Sequence, residues 1–401
     1  YVSTYRSKNM LELVNINRLE PGMFIVKVTE QMGKITVTSA GKINDQQYIA
    51  VLIKKGILQV QVDLSKSTHL VKEHDEGELD DDTYIDASGL TYAQQLEHTL
   101  KLYDKVKTIQ GRLVKQVAKG NINNLDEIDE ITQDIVNKAF DSDDAIGIAI
   151  LLKETDEYFL EHSINCAILM VMFGRSLGIE RATLQHLGIG ALLMDIGMLK
   201  LPLLLTSKAT ELSQKETKRI QQHVDVSLQL LESVDGIDDV SLEVIQQHHE
   251  RLDGSGYLDG LRGQQISLYG KMAAIVDTYD SLITSRPYRE ALKPADALKK
   301  MEDEELGLDK ELINKFIGCI GSNPVGSLVK LDTGKLDMVM RLNKNLPMSP
   351  TAMVFYNLTI KLAEVFQLDL SIVEDKIEGS VLPDDFNLDL SGFLRNSFFN
   401  K

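Results

Sequence analysis

Two adjacent histidines followed by a glycine-rich turn are the residues of this chain best suited to chemistry. The segment runs His248-His249-Glu250 and, after two residues, Asp253-Gly254-Ser255-Gly256-Tyr257. Neutral imidazole is a good ligand for iron, manganese or zinc, and a metal site is the usual reason for several histidines to cluster. A surface turn with two solvated histidines is the competing interpretation. Further histidines and aspartates at matching places along the chain favour the metal site.

The other candidate ligands lie on or at the ends of predicted helices, so an all-helical core could bring them together. They are His162, Asp195, His223 and Asp277. Taken alone, His223 would be a polar residue on an amphipathic helix, and Asp277 would be an ion-pair partner of a base such as Arg286. Asp195 stands among apolar neighbours, where an unpaired carboxylate would be costly. The presence of the other candidate ligands in the same chain favours a metal-ligand role for each of them.

Composition and charge limit the classes of protein. The 401 residues are 43% hydrophobic and 26% charged, which is typical of a globular chain with about two or three domains. The net charge of −17 argues against a protein that binds a nucleic-acid duplex. Cys166 and Cys319 form no spaced motif and predict buried free thiols. Without a signal peptide or a bilayer-spanning apolar run, we expect a cytoplasmic protein with no membrane partner.

The first 72 residues predict a small β-rich domain of the α+β type. Short β-branched runs at 23–26, 35–37 and 58–62 predict strands, and a helix is expected from about Asp45 to Lys54. Seven of the ten residues from Glu73 to Asp82 are acidic, which predicts a solvated linker over 73–92. This linker is the clearest domain boundary in the sequence.

Helical patterns dominate the rest of the chain, so the predicted fold class is mainly α. Connector helices are expected over 93–140, where apolar residues from Leu96 to Val117 recur at spacings of three and four. That stripe could pack on its own domain or form a dimer that carries a signal from the N-terminal domain. A helical domain is expected over 141–340, with a capping box at Ser213 starting a helix to Leu231. Short strands near 326–331, 337–340 and 353–355 lead into a mixed C-terminal extension over 341–401.

The order and spacing of these residues resemble HD-GYP domains, the bacterial phosphodiesterases of cyclic di-GMP within the HD hydrolase superfamily. The resemblance covers roughly Tyr158 to Leu331. It is carried by Tyr158-x3-His162-Ser163, Leu192-Leu193-Met194-Asp195-Ile196-Gly197, His223, the segment from His248 to Tyr257, Asp277-x2-Asp280 and Arg286-Pro287-Tyr288-Arg289. The segment Leu19-Glu20-Pro21-Gly22-Met23 is similar to the small domain that often precedes HD-GYP domains.

The resemblance implies a centre of two divalent metals, commonly iron or manganese. Asp195 would be the catalytic residue, bridging both metals together with a hydroxide. One metal would also take His162, the histidine of the HD pair and Asp277, and the other would take His223, His248 and His249. Metal binding makes water a nucleophile near neutral pH, and the cations neutralise the charge that builds up on the attacked phosphate. Tyr158 would be the residue type found in two-metal members.

The resemblance also implies a pocket for cyclic di-GMP or a related cyclic dinucleotide. Two arginines match family positions that contact ligand phosphates, a role suited to guanidinium, although ordinary surface cations are the plainer interpretation. The expected ligand-binding residues are Asp253, Gly254, Gly256, Tyr257, Arg286 and Arg289. A protein partner at the Gly256-Tyr257-Leu258 segment and a homodimer are left open.

The chain departs from the family pattern at three positions. The histidine of the HD dyad is Met194, the lysine expected three residues after the aspartate is Met198, and the proline of the GYP triplet is Leu258. A thioether is a poor ligand for hard ferrous or manganous ions. Loss of a cation beside the reacting phosphate typically costs roughly 10²–10³ in rate. Lys200 and His186 are the nearest substitutes, and both are expected to point elsewhere.

We therefore expect a signalling protein that binds one metal well, a second poorly or not at all, and a cyclic dinucleotide. Its hydrolysis would be weak or lost. The main alternative is an active two-metal phosphodiesterase that converts cyclic di-GMP to pGpG or GMP. A different HD-type phosphohydrolase acting on another nucleotide is the third hypothesis.

Overall fold

The computed structural model divides the chain into two units, residues 1–75 and 76–401. It describes the residues from 11 to 386, with gaps. The segments outside the described part are 1–10, 17–18, 20–22, 32–40, 44–45, 55–56, 64–77, 80–91, 120–121, 123, 142–143, 145–146, 148–157, 203–204, 206–207, 209, 211, 233, 286–288, 344–345, 359–365 and 387–401.

The first unit is a small antiparallel sheet with one helix, as the sequence predicts. Its strands are β1 (Leu11–Asn15), β2 (Phe24–Gln31), β3 (Gly41–Lys42) and β4 (Ile57–Asp63), in the order β1-β4-β2-β3, and its helix is α1 (Gln46–Lys54). Val60 and Val62 of β4 are fully buried, whereas Gln61 between them is half-buried, which is the period of two expected for a strand with one face in a core. The strand predicted at 35–37 lies outside the described residues.

The first helices of the second unit are two long ones, α2 (Tyr92–Ala118) and α3 (Asp126–Asp141). The apolar stripe of α2 is buried within this unit: Leu96 lies in a cluster with the later strands, and Tyr103 to Val117 lie in the helical core. Of the two interpretations of the stripe, packing on its own domain is therefore the one confirmed. A dimer would have to use a different surface.

Shorter helices complete the core that holds the candidate ligands. They are α4 (Tyr158–Ser176), α5 (Arg181–Leu193), α6 (Gln214–Gln221), α7 (His223–Leu231), α8 (Asp239–Gln247), α9 (Leu268–Ile283), α10 (Pro294–Met301) and α11 (Lys310–Ile320). A 3₁₀ helix, Ile196–Lys200, follows α5 after a two-residue turn. The mainly α fold class is confirmed.

The helix predicted from Ser213 to Leu231 is two helices. The capping box is present, since Ser213 accepts a hydrogen bond from the Glu216 amide and the Glu216 carboxylate accepts one from the Ser213 amide. The helix ends at Gln221, and α7 starts at His223. The spacing of apolar residues in the sequence did not reveal this break. Because of the break, His223 lies in the first turn of a new helix.

A six-stranded antiparallel sheet is formed by five strands that follow the helical core and one that precedes it. Its strands are β5 (Glu78–Leu79), β6 (Leu328–Leu331), β7 (Lys335–Arg341), β8 (Thr351–Asn357), β9 (Phe366–Asp369) and β10 (Ile377–Val381), in the order β10-β6-β7-β8-β9-β5. The predicted boundary at residue 340 falls inside β7, because the sheet takes strands from both sides of it. Two residues of the predicted acidic linker form β5 and pair with β9. The division into five segments otherwise stays a prediction.

Among the described residues, one segment, Arg181–Lys200, is long and apolar enough to span a membrane by length and composition. Most of it is buried against other parts of the helical core, and it includes Leu184, Leu187 and Leu192, each no more than 2% exposed. Buried core helices of globular domains have the same composition. We interpret it as a core helix.

Candidate metal centre

The six predicted metal ligands lie together in the helical core. His162 is in the second turn of α4, Asp195 is in the turn after α5, and His223 starts α7. His248 and His249 directly follow α8, and Asp277 is in the middle of α9. Five elements far apart in sequence therefore contribute to one cluster.

A close backbone approach holds the Asp195 turn against α7. A Cβ atom on Gly197 would lie 2.1 Å from the His223 carbonyl oxygen, so only glycine fits there. The Ser227 hydroxyl donates to the Met194 carbonyl at 2.9 Å and accepts from the Gly197 amide at 2.8 Å. These contacts bring the Asp195 carboxylate beside His223.

The two carboxylate oxygens of Asp195 face different histidines. Oδ1 lies 3.1 Å from His223 Nε2 and 3.7 Å from His248 Nε2. Oδ2 lies 3.4 Å from His162 Nε2, which is also 3.1 Å from Asp277 Oδ1. A carboxylate shared in this way between two groups of ligands has the arrangement that a bridging ligand requires.

The orientation of His223 and His248 calls for a cation or an added proton between their rings. The Nδ1 atoms lie 2.8 Å from the carbonyl oxygens of Ile220 and Ile245 respectively, which accept the Nδ1 protons. In the neutral form of each ring the Nε2 atom then carries a lone pair, yet the two Nε2 atoms are only 3.3 Å apart. Two converging lone pairs repel unless a cation or a proton lies between them. Together with Asp195 and His249 they form a group whose ligand atoms all lie within 4.8 Å of one another.

His162 is held by a second carboxylate on its outer side. Asp280 Oδ2 lies 2.8 Å from His162 Nδ1, so this nitrogen carries the proton and Nε2 faces Asp195 and Asp277. Asp280 is fully buried, and its other oxygen accepts from the Asn165 amide at 2.9 Å. A carboxylate behind a histidine ligand is the usual device for fixing its tautomer and orientation.

Partners outweigh burial at the carboxylates of the centre. Burial raises the pKa of Asp195, but the hydrogen bonds that His162, His223 and His248 make to it when both ring nitrogens carry protons hold that pKa well below its usual range. Burial also raises the pKa of Asp277. The hydrogen bond with His162 outweighs the effect of burial, so the pKa of Asp277 is lowered overall. Both carboxylates are therefore anionic ligands at neutral pH.

The pKa values of two of the histidines shift in opposite directions. Burial, reinforced by nearby His248, lowers the pKa of His249 well below its ordinary value, so its imidazole is neutral. Burial also lowers the pKa of His223, but the carboxylate of Asp195 reverses the shift and raises it overall. A metal ion must displace that proton, which makes metal binding depend on pH.

Cys166 is near the centre without being suited to ligate. Its sulfur lies 3.8 Å from both ring nitrogens of His162. Burial raises the pKa of the thiol to about 12. Metals bind the thiolate, so the neutral thiol is a packing group here. The sequence prediction of a buried free thiol is confirmed for Cys166, whereas Cys319 is only half-buried.

The departures from the family pattern are visible in the fold. Met194 is 1% exposed and lies in the helical core, and Met198 is half-buried. Lys200 donates to the carbonyl of Val117 at the end of α2, at 2.6 Å, so its amine is directed away from the centre as predicted. His186 is eight residues before Met194 on α5 and supplies its carbonyl to Ser241.

Glu250 organises the glycine-rich turn. Its carboxylate is buried and accepts from the backbone amides of Asp259, Gly260 and Leu261 at 2.8–3.0 Å. A Cβ on Gly256 would lie 2.5 Å from the His249 carbonyl oxygen, which explains the second glycine. The turn thus packs directly on the backbone of the histidine pair.

The predicted ligand-binding residues have different outcomes. Tyr257 lies beside the histidine pair, its ring centroid 4.6 Å from that of His249. Asp253 is exposed and accepts from the Ser255 amide and hydroxyl, and Gly254 adopts a φ of +78°. These two shape the turn, and Gly256 allows its approach. Arg289 donates to the carbonyl of Ser281 near the end of α9. Arg286 and the side chain of Tyr158 lie outside the described residues, so their roles stay predictions.

Sequence reasoning assigned no role to several residues that build the centre. They are Asn165, Ser227, Glu250 and Asp280. A signal existed for two of them: Asn165 is three residues after His162 and Asp280 three after Asp277, so each shares a helix face with a ligand. Ser227 and Glu250 carried no such signal, because they act through backbone groups.

Known proteins resemble this chain over both units. A family model described as HD domain matches residues 148–312, and one described as a domain of unknown function, DUF3391, matches residues 11–128. A cyclic di-GMP phosphodiesterase of Pseudomonas aeruginosa is 26% identical over 289 residues, which cover 71% of this chain and 70% of that protein.

Two further relatives match over shorter stretches. The cyclic di-GMP phosphodiesterase PdeB of Borreliella burgdorferi is 26% identical and covers 49% of this chain and 52% of its own length. The 3'3'-cGAMP-specific phosphodiesterase 1 of Vibrio cholerae is 32% identical and covers 40% of this chain and 37% of its own length. The chain thus spans about half, or less, of the length of these two proteins.

Proposed function

Because this chain belongs to the HD-GYP family of HD domains, we propose that it binds a cyclic dinucleotide at a metal centre whose hydrolytic activity is weak or lost. The supporting observation is the inequality of the two halves of the centre. Asp195, His223, His248 and His249 form a complete ligand group. On the other side His162, Asp195 and Asp277 approach one another, and the fourth family position is Met194.

The complete group fits a divalent transition metal such as iron or manganese. Imidazole and carboxylate are ligands that these ions accept, and Asp195 supplies the negative charge. A bound metal would polarise the phosphate and lower the pKa of a bound water. Asp195, His223, His248 and His249 would hold the ion, and the Nδ1 hydrogen bonds of His223 and His248 keep their Nε2 atoms directed at it.

A cyclic dinucleotide is the ligand class that the surroundings support. The relatives named above act on cyclic di-GMP or 3'3'-cGAMP according to their names. Tyr257 places an aromatic ring next to His249, and aromatic rings commonly stack on nucleobases. Its position close to the ligands would set a base beside a phosphate at the metal. We propose Tyr257 as the base-contacting residue and retain Arg286 and Arg289 as proposed phosphate contacts.

Weak hydrolysis is expected because methionines, Met194 and Met198, stand where the family has a histidine and a lysine. Met194 gives a soft thioether where a hard ion needs imidazole. Met198 removes a cation near the reacting phosphate, and Lys200 cannot supply it while it donates to Val117. Loss of one such electrostatic contact costs roughly 10²–10³ in rate.

An active two-metal phosphodiesterase is the alternative, and one observation favours it. Asp195 directs one oxygen to each half of the centre, and three of the four ligands of the weaker half are within 3.4 Å of a neighbouring ligand. Such a half could still hold a metal once substrate phosphate adds an oxygen ligand.

The deciding experiment measures hydrolysis of cyclic di-GMP and of 3'3'-cGAMP under anaerobic conditions with Mn²⁺ or Fe²⁺. The native chain is compared with the double variant Met194→His, Met198→Lys. We expect the native chain to hold one tightly bound metal and to bind the dinucleotide. Its turnover should be at least about 100-fold below that of the double variant.

Two controls give the comparison its meaning. Met194→His with Met198→Gln adds a polar group without a cation and separates the metal ligand from the charge. Metal content and dinucleotide affinity are measured on every variant. Native turnover equal to that of the double variant would establish the active enzyme instead, and absence of both metal and dinucleotide binding would refute the proposed site.

A further inference from the structure

Helix α2 carries a row of polar side chains that lead to the metal centre. Tyr103, Lys107 and Gln110 are spaced by four and three residues, so they lie on one side of the helix. Tyr103 and Gln110 are buried, at 8% and 2% exposure. Buried polar groups are costly unless they are hydrogen-bonded, so their partners define what they do.

Gln110 stabilises the helix end that leads into Asp195. Its amide donates to the carbonyl oxygen of Leu192 at 3.0 Å. Leu192 is the penultimate residue of α5, and the last four carbonyls of a helix lack partners inside it. The bond therefore fixes the point from which the Met194-Asp195 turn departs. On the other side of that turn, Lys200 donates to the Val117 carbonyl of the same helix α2.

The other two residues of the row lead to His162. The Tyr103 hydroxyl donates to Asn165 Oδ1 in a long hydrogen bond of 3.4 Å, and Asn165 donates to Asp280, the carboxylate behind His162. Lys107 lies 3.9 Å from the buried carboxylate of Glu161, the residue before His162. One helix thus contacts the supports of both His162 and Asp195.

We propose that α2 is a positioning element of the metal centre: through Gln110 and Tyr103 it sets the separation of Asp195 and His162, and with it the affinity of the metal position that these two share. This proposal rests on the metal centre proposed above. The position concerned is the one that lacks a histidine at residue 194, so it depends most on the placement of its remaining ligands. Residues 103 and 110 touch no ligand directly and act through Asn165, Asp280 and the Leu192 carbonyl.

Helix α2 lies within the match to the N-terminal family model and outside the match to the HD domain. The match to the N-terminal family model extends to residue 128 and includes α2, whereas the HD domain match starts at residue 148. A helix that belongs in sequence with the N-terminal domain is thus packed, in structure, against the supports of the centre. Any event that rotates or shifts α2 would change the weaker metal position first.

The test measures the Mn²⁺ affinity of the 401-residue chain by calorimetry, in the native background and with Met194→His to complete the weaker position. Gln110→Met keeps the length of the side chain but removes its donor, and Tyr103→Phe removes only the hydroxyl. The matched control is Thr99→Val, because Thr99 is also buried on α2 but donates only to the carbonyl of Gln95 in its own helix.

We expect Gln110→Met to weaken the position of His162 and Asp195 by about 10-fold or more, within the range for groups that support ligands. Tyr103→Phe should have a smaller effect in the same direction, and the tighter position should keep its affinity. With Co²⁺ bound, the shifted proton NMR signal of His162 Nδ1–H should move in both variants. Thr99→Val should change neither the affinities nor that signal.

The outcomes separate the two proposals. If both positions lose affinity equally, or if Thr99→Val acts like the other two variants, α2 has only a general structural role and the inference is wrong. Unchanged affinities in Gln110→Met and Tyr103→Phe would also refute it while leaving the metal centre intact. Absence of Mn²⁺ binding in both backgrounds would instead refute the proposed function, and the inference with it.

Discussion

The metal centre and the C-terminal sheet each bury an aspartate, and the two regions treat it in opposite ways. Asp195 meets three histidines, and its pKa is held well below the usual range. Asp337 of β7 is fully buried between Val329 and Val354 on the adjacent strands. Within the described part of the chain, neither of its carboxylate oxygens has a hydrogen-bond partner. Burial raises the pKa of Asp337 to about 7, and although the charge of Lys335 opposes this, Asp375 adds to it.

The difference shows that burial alone raises the pKa of an aspartate, and that the neighbouring groups decide whether the final pKa is raised or lowered. Desolvation penalises the charged form in both places. The helical core supplies imidazoles directed at the carboxylate, which makes the charge useful for binding a cation. The sheet supplies valines, so the proton is the partner that Asp337 retains. Each prediction below removes or alters one partner in this comparison.

The largest effect is expected when the shared carboxylate of the centre is removed. Asp195→Asn leaves three histidines without their anion and should weaken metal binding at both positions by at least about 1000-fold, or ~4 kcal/mol. Metal content after dialysis and Mn²⁺ calorimetry would measure this. Retention of one tightly bound metal in the variant would show that the histidines alone hold it.

The next largest effect is a dependence of stability on pH that comes from the buried carboxyl of Asp337. The folded-state pKa of Asp337, about 7, exceeds its ordinary value of 3.8, so the folded state binds the proton more strongly. Stability from this group is fully present below about pH 4 and is lost as the pH rises through 7. The free energy of unfolding should fall by ~3 kcal/mol between about pH 5 and about pH 8.5.

Urea unfolding at these two pH values would test this dependence, with Asp337→Asn expected to remove most of it. Glu378→Gln on β10 is the control, since Glu378 is an exposed partner of Lys330. Equal pH dependence of the native and Asp337→Asn chains would mean that Asp337 is ionised in the folded protein.

A smaller effect is expected from the carboxylate behind His162. Asp280→Asn keeps the size of the side chain but loses the charge that orients the imidazole. Metal affinity should fall by about 10–100-fold, as is usual for such supporting groups. Calorimetry with Mn²⁺ would measure it, and Asp296→Asn, an exposed change on α10, serves as the control. A loss no greater than that of the control would mean that Asn165 and the helix orient His162 without Asp280.

The smallest effect sharpens the sheet side of the comparison. Lys335 pairs with Asp375 at 2.8 Å and its charge lowers the pKa of Asp337. Lys335→Met should therefore raise the titration midpoint of Asp337 by one pH unit or less, roughly 1 kcal/mol. Carboxyl carbon NMR across the pH range would show the shift. A midpoint that falls would mean that Lys335 acts on Asp337 through packing and not through its charge.

The sequence predicted the set of candidate ligands that lie together in the helical core better than it predicted these differences. The helix at 46–54, the long helix α2 and the capping box at Ser213 rest on local patterns, and all are present. The six candidate ligands were identifiable because residue types that bind metals occur rarely and in a known order. Their contacts with supporting groups were not, since these depend on which helices pack together.

Asp337 illustrates the limit most clearly. In a strand with alternating faces, an aspartate between Leu336 and Met338 is expected to face solvent. Here both faces of β7 are buried, from Leu336 to Met340, so the alternation does not predict exposure. The acidic block gave no sign of strand pairing for a related reason, since the pairing of Glu78 and Leu79 with β9 is a long-range contact that no local pattern contains.

That short pairing has a consequence for how the chain can be made. Glu78 and Leu368 pair across about 290 positions of sequence, so β5 must wait unpaired until the segment around Leu368 has been synthesised. Contacts of such long range close slowly and leave intermediates with bare strand edges. A shortened expression clone starting after residue 79 would expose the edge of β9, which invites intermolecular strand pairing. The helical domain should therefore be produced from a start point before Glu78.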